Sequence, residues 1–329
     1  MNYWENKRVL VTGGAGFIGS YLTELLVNAG ARVTIADDLS RGSQSRVAEI
    51  IHKVNFEKVD LFDIQNCLKV CRDQDIVMNL AAKVTGIEYN RTHMVDMFES
   101  NIKLQMNVLQ AAWECGVKRF LQVSTACIYP HDAKVPTSEP EGERGSPEPT
   151  NEGYGWAKRM GEKLATYYTQ EKGMEVVIVR PFNAYGPRDH FDEATSHVIP
   201  ALIKRLLDGD DPVVVWGSGN QSRAFVHARD IAKAMALVVE KAPPATPINI
   251  GHGDEITIKE LFHLICKIVG KSAKPYFDTS KPDGYPRRSA DTTLLKQITG
   301  FVPSIPLEQG IKEMLEVCLT QKAAATLSS

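Results

Sequence analysis

The sequence predicts an α/β protein, built on a doubly wound parallel sheet with a smaller lobe formed mainly by the C-terminal part. From the N-terminus to residue 180, short runs rich in β-branched residues alternate with amphipathic stretches. This alternation favours parallel strands joined by right-handed helical crossovers. The predicted strands are Arg8–Val11, Arg32–Ala36, Asn55–Val59, Ile76–Leu80, Phe120–Ser124 and Val176–Arg180, and the first predicted helix is Ile18–Ala29.

The pattern changes after residue 180, and this change predicts a second lobe. A turn at 183–187 precedes a predicted helix, His197–Leu207, that leaves the sheet, whereas the helix Asp230–Lys241 is expected to return to it. Pro212–Trp216 is predicted as a strand outside the main series. The expected units are a first domain of 1–182 with the returning segment 225–250, a second lobe of 183–224 and 251–321 that ends in a helix near Leu307–Cys318, and a flexible tail, 322–329.

The composition is typical of a globular protein and excludes several classes of function. Hydrophobic residues make up 43% of the 329 residues and charged residues 24%. A net charge of −2 favours neither a nucleic acid nor a membrane as partner. We find no signal-peptide pattern and no apolar run near the ~20 residues of a membrane span, so we expect a cytoplasmic protein. Six scattered cysteines without a nearby histidine cluster predict reduced thiols and no metal site.

A glycine-rich segment joins the first strand to the first helix. Gly13, Gly16 and Gly19 allow a tight turn, a close approach of backbone N–H groups to a pyrophosphate, and packing of the helix on the strand. Asp37 lies 18 residues beyond Gly19, at the end of the second strand. Strand, glycine turn, helix and acid in this order predict a Rossmann-like dinucleotide-binding domain.

The acidic residues after the second and third strands predict which dinucleotide binds. Carboxylates of Asp37 and Asp38 would accept hydrogen bonds from the ribose hydroxyls and repel a 2′-phosphate, which favours NAD over NADP. Arg41 and Arg46 lie close enough in the chain to leave NADP open. Asp60 follows the third strand and is expected to face the adenine amino group.

Tyr154 and Lys158 are predicted to form the catalytic pair. Four residues apart on a helix, they share one face. A nearby ammonium and a positively charged nicotinamide would stabilise the phenolate and lower the pKa of the tyrosine. Thr125, at the end of another strand, would orient the substrate oxygen.

Together with the glycine turn, these residues make the chain resemble the extended short-chain dehydrogenase/reductase family, in its NAD-dependent epimerase/dehydratase branch. The resemblance runs from Gly13 to the last helix and is greatest to the group that contains GDP-fucose synthase and GDP-mannose 3,5-epimerase. The segments that carry it are 79–87, 126–130, 149–154, 196–200, 216–219, 223–227 and 281–284.

The resemblance implies a role for each matching residue. Cys127 and His197 match the acid/base pair that acts at a ring carbon, and Asn183 and Arg223 match residues that hold the nucleotide diphosphate. It also implies a homodimer and a nucleoside-diphosphate sugar as substrate, with a GDP-sugar favoured. Further cofactor contacts are predicted for Phe17, Ile18, Leu61, Leu80, Ala81, Ala82 and Lys83, and further substrate contacts for Thr85, Gly86, Val198 and Arg287.

The predicted function is a redox-neutral epimerase. Transient oxidation at carbon 4 acidifies the hydrogens on carbons 3 and 5, so that Cys127 and His197 can invert a neighbouring centre. The alternatives are a fucose-synthase-like reductase of a 4-keto-6-deoxy sugar, which would use NADPH, and a nucleotide-sugar 4-epimerase or dehydratase. A non-catalytic NAD sensor is disfavoured because the catalytic residues are intact. Thr85 and Thr125 depart from the glycine and serine usual in the group, which affects the substrate more than the reaction class.

Overall fold

The computed structural model describes residues 2–191, 196–281 and 284–327. The strands are β1 Arg8–Thr12, β2 Arg32–Asp37, β3 Asn55–Lys58, β4 Ile76–Asn79, β5 Arg119–Val123, β6 Glu175–Pro181, β7 Ala184–Tyr185, β8 Val213–Trp216, β9 Ser222–Ala224, β10 Val226–His227, β11 Pro247–Ile250, β12 Glu255–Thr257, β13 Pro275–Asp278 and β14 Arg287–Arg288. The helices are α1 Phe17–Asn28, α2 Ile64–Cys71, α3 Ile87–Thr92, α4 Met94–Glu114, α5 Glu152–Lys172, α6 Val198–Asp208, α7 Ala228–Lys241, α8 Ile258–Val269, α9 Thr293–Thr299 and α10 Leu307–Leu327.

Within these residues a parallel sheet of seven strands forms, in the order β11-β6-β5-β4-β1-β2-β3. The predicted fold class is confirmed, and the six predicted strands agree with β1 to β6 within one residue at each end. The seventh strand, β11, was not predicted. It comes from the returning segment and pairs with β6, so residues far apart in sequence complete one sheet.

Both faces of the sheet are buried, as parallel strands require. Alternate residues of β1 illustrate this, because Val9 and Val11 belong to one core and Leu10 to the other. The first core contains Leu22 and Leu26 of α1 together with apolar residues of α7. The second core contains apolar residues of α2 and α4 and Ala165 of α5. The two layers of helices fix the strands, so the loops at their carboxyl ends have a rigid support.

A third hydrophobic core lies under β8, β13, α6, α8 and α10. The helix predicted as His197–Leu207 is α6, with His197 as its N-cap residue. The pair β8–β13 is parallel, and β9 pairs with β12 and β14 in a separate small sheet. Nothing in the structure tests the proposed domain boundaries, which stay a prediction.

The last helix is longer than predicted. It was expected near Leu307–Cys318, and α10 continues to Leu327, whereas the flexibility of a tail over 322–329 stays a prediction. Alanine, lysine and leucine favour helix here. Lys322 also anchors the helix, because its Nζ lies 3.0 Å from the Asp208 carboxylate and donates to the Leu207 carbonyl.

All six cysteines are free thiols. In the part of the chain that the structure describes, no group of three or more histidine, cysteine or carboxylate side chains is arranged to hold a metal ion. None of the described helices is long and apolar enough to cross a bilayer.

Candidate active site

The glycine turn lies beside the carboxyl end of β4. Gly13 has a φ of +65°, and a Cβ there would lie 3.2 Å from the backbone of Leu80 and Ala81. A Cβ at Gly19 would overlap the Gly13 carbonyl. No described side chain caps α1 at Gly16, so the first N–H groups of this helix stay available to an anion. This is the cradle that a pyrophosphate needs.

Asp37 ends β2 and braces the same turn. Its buried carboxylate accepts hydrogen bonds from the N–H groups of Ala15, at 3.0 Å, and Leu39, at 2.9 Å. Burial raises the pKa of Asp37, and the two backbone hydrogen bonds partly oppose this. Asp38 accepts from both N–H and Oγ of Ser40 at the surface. The acid predicted to recognise the ribose therefore also shapes the glycine turn.

The other residues predicted to contact the cofactor lie around the glycine turn and after β3 and β4. Phe17 and Ile18 form the first turn of α1, and Leu80, Ala81 and Ala82 follow β4 beside Gly13. Asp60 accepts from the Phe62 N–H, at 2.8 Å, and lies next to the buried Leu61. Lys83 is held in an ion pair with Asp96, with 2.6 Å between Nζ and the carboxylate. A direct contact from Lys83 to a cofactor would require this pair to open.

The predicted catalytic pair lies on α5, where Tyr154 and Lys158 are one turn apart. Nζ of Lys158 is 5.8 Å from the centre of the Tyr154 ring and donates to the Val123 carbonyl at 2.9 Å. The lysine side chain is nearly inaccessible, with 2% of its surface exposed. Burial lowers the pKa of Lys158 to about 8, which Glu162 partly opposes.

The strand end after β5 brings Thr125 and Cys127 to the same place. Thr125 Oγ1 accepts from the Cys127 N–H at 3.2 Å. The pKa of Tyr154 is raised, mainly by burial and further by Cys127, whereas Arg288 and a hydrogen bond with Thr125 act in the opposite direction. The structure thus brings together four predicted residues. The predicted lowering of the phenol pKa is not found in the protein alone, because desolvation by the walls of the site dominates.

Arg288 is a site residue that the sequence did not single out. Its Nη2 donates to Sγ of Cys127 at 3.3 Å, and its guanidinium stacks on the Tyr285 ring. The predicted Arg287 is 60% exposed and pairs with Glu255 at 2.6 Å. Neighbouring residues of a strand face opposite sides, so only one of these arginines can face the site. The two adjacent arginines in the sequence indicated that one of them could face the site. Which one does so depends on the orientation of β14, which the sequence does not reveal.

His197 lies at the start of α6, and its partner is Asp189. Nδ1 of His197 is 2.9 Å from one carboxylate oxygen of Asp189 and 3.2 Å from the other. This negative charge raises the pKa of His197, against an opposing effect of desolvation and of Arg41. Among the described residues, no hydrogen bond or ion pair joins His197 to Cys127. Their action on one sugar ring therefore stays a prediction.

The remaining predicted substrate residues are engaged with the protein itself. Nδ2 of Asn183 donates to the carbonyls of Ala224, at 2.9 Å, and Arg288, at 3.1 Å. Arg223 donates to the Tyr285 carbonyl at 2.6 Å. Thr85 donates to Asn90. Gly86 is the N-cap residue of α3, and Val198 is the first residue of α6. Asn183 ties the strand end after β6 to β9 and to the 285–288 segment, and Arg223 ties β9 to that same segment. Both therefore shape the site whether or not they contact substrate.

A parallel sheet with a glycine cradle, an acid after β2 and a Tyr–Lys pair defines a dinucleotide-dependent α/β enzyme. Residues 9–251 match the NAD dependent epimerase/dehydratase family. The chain belongs to this family, whose members are enzymes that act on nucleotide sugars.

Individual relatives show which members are similar. GDP-L-fucose synthase of Escherichia coli (strain K12) is 36% identical over 323 residues, covering 93% of this chain and 95% of that protein. GDP-mannose 3,5-epimerase 1 of Oryza sativa subsp. indica is 31% identical, covering 97% and 86%. The crystal structure of UDP-glucose 4-epimerase with UDP-glucose, from Thermotoga maritima, has a TM-score of 0.88 at 28% identity, covering 96% of this chain and 99% of that one. The suspected family is confirmed.

Proposed function

We propose that the chain is an NAD-dependent epimerase that oxidises carbon 4 of a nucleoside-diphosphate sugar transiently and inverts carbon 3, carbon 5 or both. The observation that carries this proposal is the position of Cys127, two residues from Thr125 and close enough to Tyr154 to affect its pKa. Oxidation of an alcohol alone needs a tyrosine, a lysine and a hydroxyl. A thiol at the same centre adds a group that can remove a proton from the neighbouring carbon.

Each residue has a role in this proposal. Thr125 orients the carbon 4 oxygen, and Tyr154 takes its hydroxyl proton. Lys158 is the cation beside the phenol, and its charge supports the phenolate. Cys127 removes a proton from a neighbouring carbon and His197 returns one to the opposite face. Bound NAD supplies the hydride acceptor at carbon 4.

Two features support NAD as the resident cofactor. The cradle at Gly13 and Gly19 has room only for hydrogen atoms, which fits a closely approaching pyrophosphate. The buried Asp37 carboxylate disfavours a 2′-phosphate at the ribose. Arg46 lies beside Asp37, but it already donates to the Arg41 carbonyl at 2.9 Å. These contacts favour NAD over NADP.

We favour a GDP-sugar as the substrate. The names of the fucose synthase and 3,5-epimerase relatives both refer to GDP-linked sugars. Arg288 provides a half-buried cation at the site, to which a negatively charged substrate group would be attracted. The cytoplasmic location and the homodimer stay predictions.

A net reductase of a 4-keto-6-deoxy sugar is the second candidate. The 36% identity with a GDP-L-fucose synthase favours it. It shares the same proton chemistry and differs in whether the nicotinamide cofactor is consumed. Asp37 argues against a reductase that depends on NADPH.

Incubation in D₂O with a panel of GDP-, UDP-, dTDP- and CDP-sugars tests the proposal. We expect deuterium to enter the sugar next to carbon 4, without net consumption of a nicotinamide cofactor. The variant Cys127→Ser should lower the exchange rate by at least ~100-fold and still reduce bound NAD on mixing with substrate. The matched control, Cys266→Ser, should exchange like the unmodified protein.

Two results would contradict the proposal. Normal exchange by Cys127→Ser would remove the thiol from the mechanism. Steady NADPH consumption with a 4-keto sugar would identify the reductase.

A further inference from the structure

We infer that Asp189 is a positioning residue that holds the Nδ1–H of His197 and leaves Nε2 as the nitrogen that transfers a proton to the sugar. This inference rests on the proposed role of His197 and assigns a residue to which neither the sequence motifs nor the comparisons give a role. It also links that histidine to the cofactor-binding loop.

The geometry of the pair is the first support. Both oxygens of Asp189 lie within 3.2 Å of Nδ1 of His197, and a carboxylate can only accept a hydrogen bond. Nδ1 therefore carries the hydrogen, in the neutral ring as well as in the imidazolium. The tautomer that places an acceptor on Nε2 is fixed by the protein.

Burial distinguishes this pair from a surface ion pair. The Asp189 side chain is 1% exposed, whereas His197 is 53% exposed. Asp189 lies in the turn after β7, where its backbone N–H donates to the Gly186 carbonyl at 3.0 Å. This hydrogen bond fixes the position of the carboxylate. Gly186 has a φ of +154°, which other residues rarely adopt. A fixed buried acceptor with an accessible imidazole is the arrangement that orients a histidine for proton transfer.

Charges from other elements complete the environment. In the described part of the chain, the charged groups that face His197 are Asp189 and Arg41. Asp189 also faces Arg46, whose guanidinium contacts the Ala15 carbonyl of the glycine turn and, at 3.5 Å, Nε2 of His190. The carboxylate therefore lies between a cation from the cofactor loop and the histidine of the second lobe.

The negative charge of Asp189 favours the role of His197 as a proton donor. Asp189 raises the pKa of His197, so the imidazolium persists to higher pH than it would in an isolated histidine. In the proposed reaction, the Cys127 thiolate takes the proton of a C–H bond, and the bonding electrons enter the enolate of the 4-ketone. A new C–H bond then forms with the proton of His197 Nε2, the N–H bond breaks, and neutral imidazole remains. Solvent restores both groups.

The variant Asp189→Asn tests the inference through the pH profile. We expect deuterium exchange at neutral pH to fall ~10–100-fold, because the carboxylate that orients the His197 ring is lost. The limb of the profile that reports His197 should move to lower pH, since the negative charge is gone. Asp189→Glu keeps the charge and should restore most of the rate. The matched control is Asp254→Asn, which alters a 95% exposed carboxylate beside His252 and should change nothing.

A double-mutant cycle separates positioning from a purely structural effect. Asp189→Asn should have little effect in a His197→Gln background, whereas an equal loss in both backgrounds would overturn the inference. Nitrogen NMR of His197 in the unmodified protein gives a test that does not require a variant to fold. An Nε2–H tautomer in the neutral ring would also overturn it. If His197→Gln alone exchanges normally, the proposed function fails at that residue, and the NMR result still decides the geometry.

Discussion

At the scale of single residues, Lys158 is an ammonium with almost no access to solvent. It donates to one backbone carbonyl, and the carboxylate one turn away, Glu162, is committed to Arg180. Burial without a carboxylate in hydrogen-bond contact explains why the pKa of Lys158 falls to about 8. The residue is therefore tuned by desolvation, and small changes of pH around this value alter its charge.

This tuning predicts how stability depends on pH. Between the folded pKa of about 8 and the ordinary value of 10.5, the unfolded chain binds more protons at Lys158 than the folded one. Stability contributed by this site therefore rises with pH through that window. Relative to Lys158→Met, the free energy of unfolding of the unmodified protein should increase by ~2 kcal/mol from about pH 8 to about pH 10. Urea unfolding of both proteins measures this, and a constant difference would show that Lys158 is not desolvated.

The sequence could identify candidate site residues that lie close together on one helix or at one strand end. Tyr154 and Lys158 are four apart on one helix, and Thr125 and Cys127 lie together after a strand. Arg288 and Asp189 were beyond such reasoning. The position of Arg288 depends on which way a two-residue strand faces, and that of Asp189 on where the turn after β7 meets the start of α6. Neither is a local property of the sequence.

At the scale of elements, α5 approaches its neighbours through glycines. A Cβ at Gly153 would overlap the Met94 carbonyl, and one at Gly161 would overlap the Gln105 carboxamide. A Cβ at Gly155 would lie 2.7 Å from the Cys127 carbonyl and 2.6 Å from Cβ of Pro147. The helix that carries the Tyr–Lys pair can therefore lie directly against the strand end that carries the thiol.

Gly155→Ala should damage both stability and activity. The added methyl must displace the backbone at Cys127, which costs ~1–3 kcal/mol of unfolding free energy. The same displacement moves the thiol and should reduce deuterium exchange more than it reduces NAD binding. Thermal unfolding and the exchange assay measure the two effects. Gly253→Ala is the control, because its Cβ meets nothing within 4 Å, and equal effects of the two substitutions would refute the steric explanation.

The elements of the central sheet were the most predictable from sequence. Strands such as Ile76–Asn79 are continuous buried runs, and their local pattern is sufficient. By contrast, β9 and β14 have three and two residues, and they pair with each other across a stretch of chain that contains α7 and α8. The helical extension to Leu327 was missed because polar and alanine-rich residues lack an apolar stripe, although they favour helix.

At the scale of the whole molecule, Arg180 joins elements that are distant in sequence. The guanidinium makes two hydrogen bonds to Glu162 of α5, at 2.9 and 2.7 Å. It also donates to the Tyr129 hydroxyl at 3.0 Å and to the Glu139 carbonyl at 2.6 Å. Arg180, Glu162 and Tyr129 are buried, so β6, α5 and the loop after β5 depend on one charge network.

Removal of one partner should therefore be costly. Arg180→Met leaves the Glu162 carboxylate buried without its cation, and we expect the free energy of unfolding to fall by ~3–5 kcal/mol. The double variant Arg180→Met with Glu162→Leu should lose less than the sum of the single changes. The control is Lys312→Met, in an exposed pair with Glu308, with an expected change within ~0.5 kcal/mol. Chemical denaturation measures the free energy of unfolding of each variant. If the loss in the double variant equals the sum of the two single losses, Arg180 and Glu162 are not coupled.

The seventh strand also has a consequence for how the protein is made. Because β11 and α7 come from residues 228–250, a nascent chain that ends at β6 has an open sheet edge and an uncovered apolar face beside α1. Translation of residues 182–246 at ~5–20 residues per second takes on the order of several seconds. During that interval the sheet lacks its edge strand β11, and the apolar residues that α7 covers in the finished protein are exposed. The order of these elements along the chain therefore delays completion of the sheet until β11 has been synthesised.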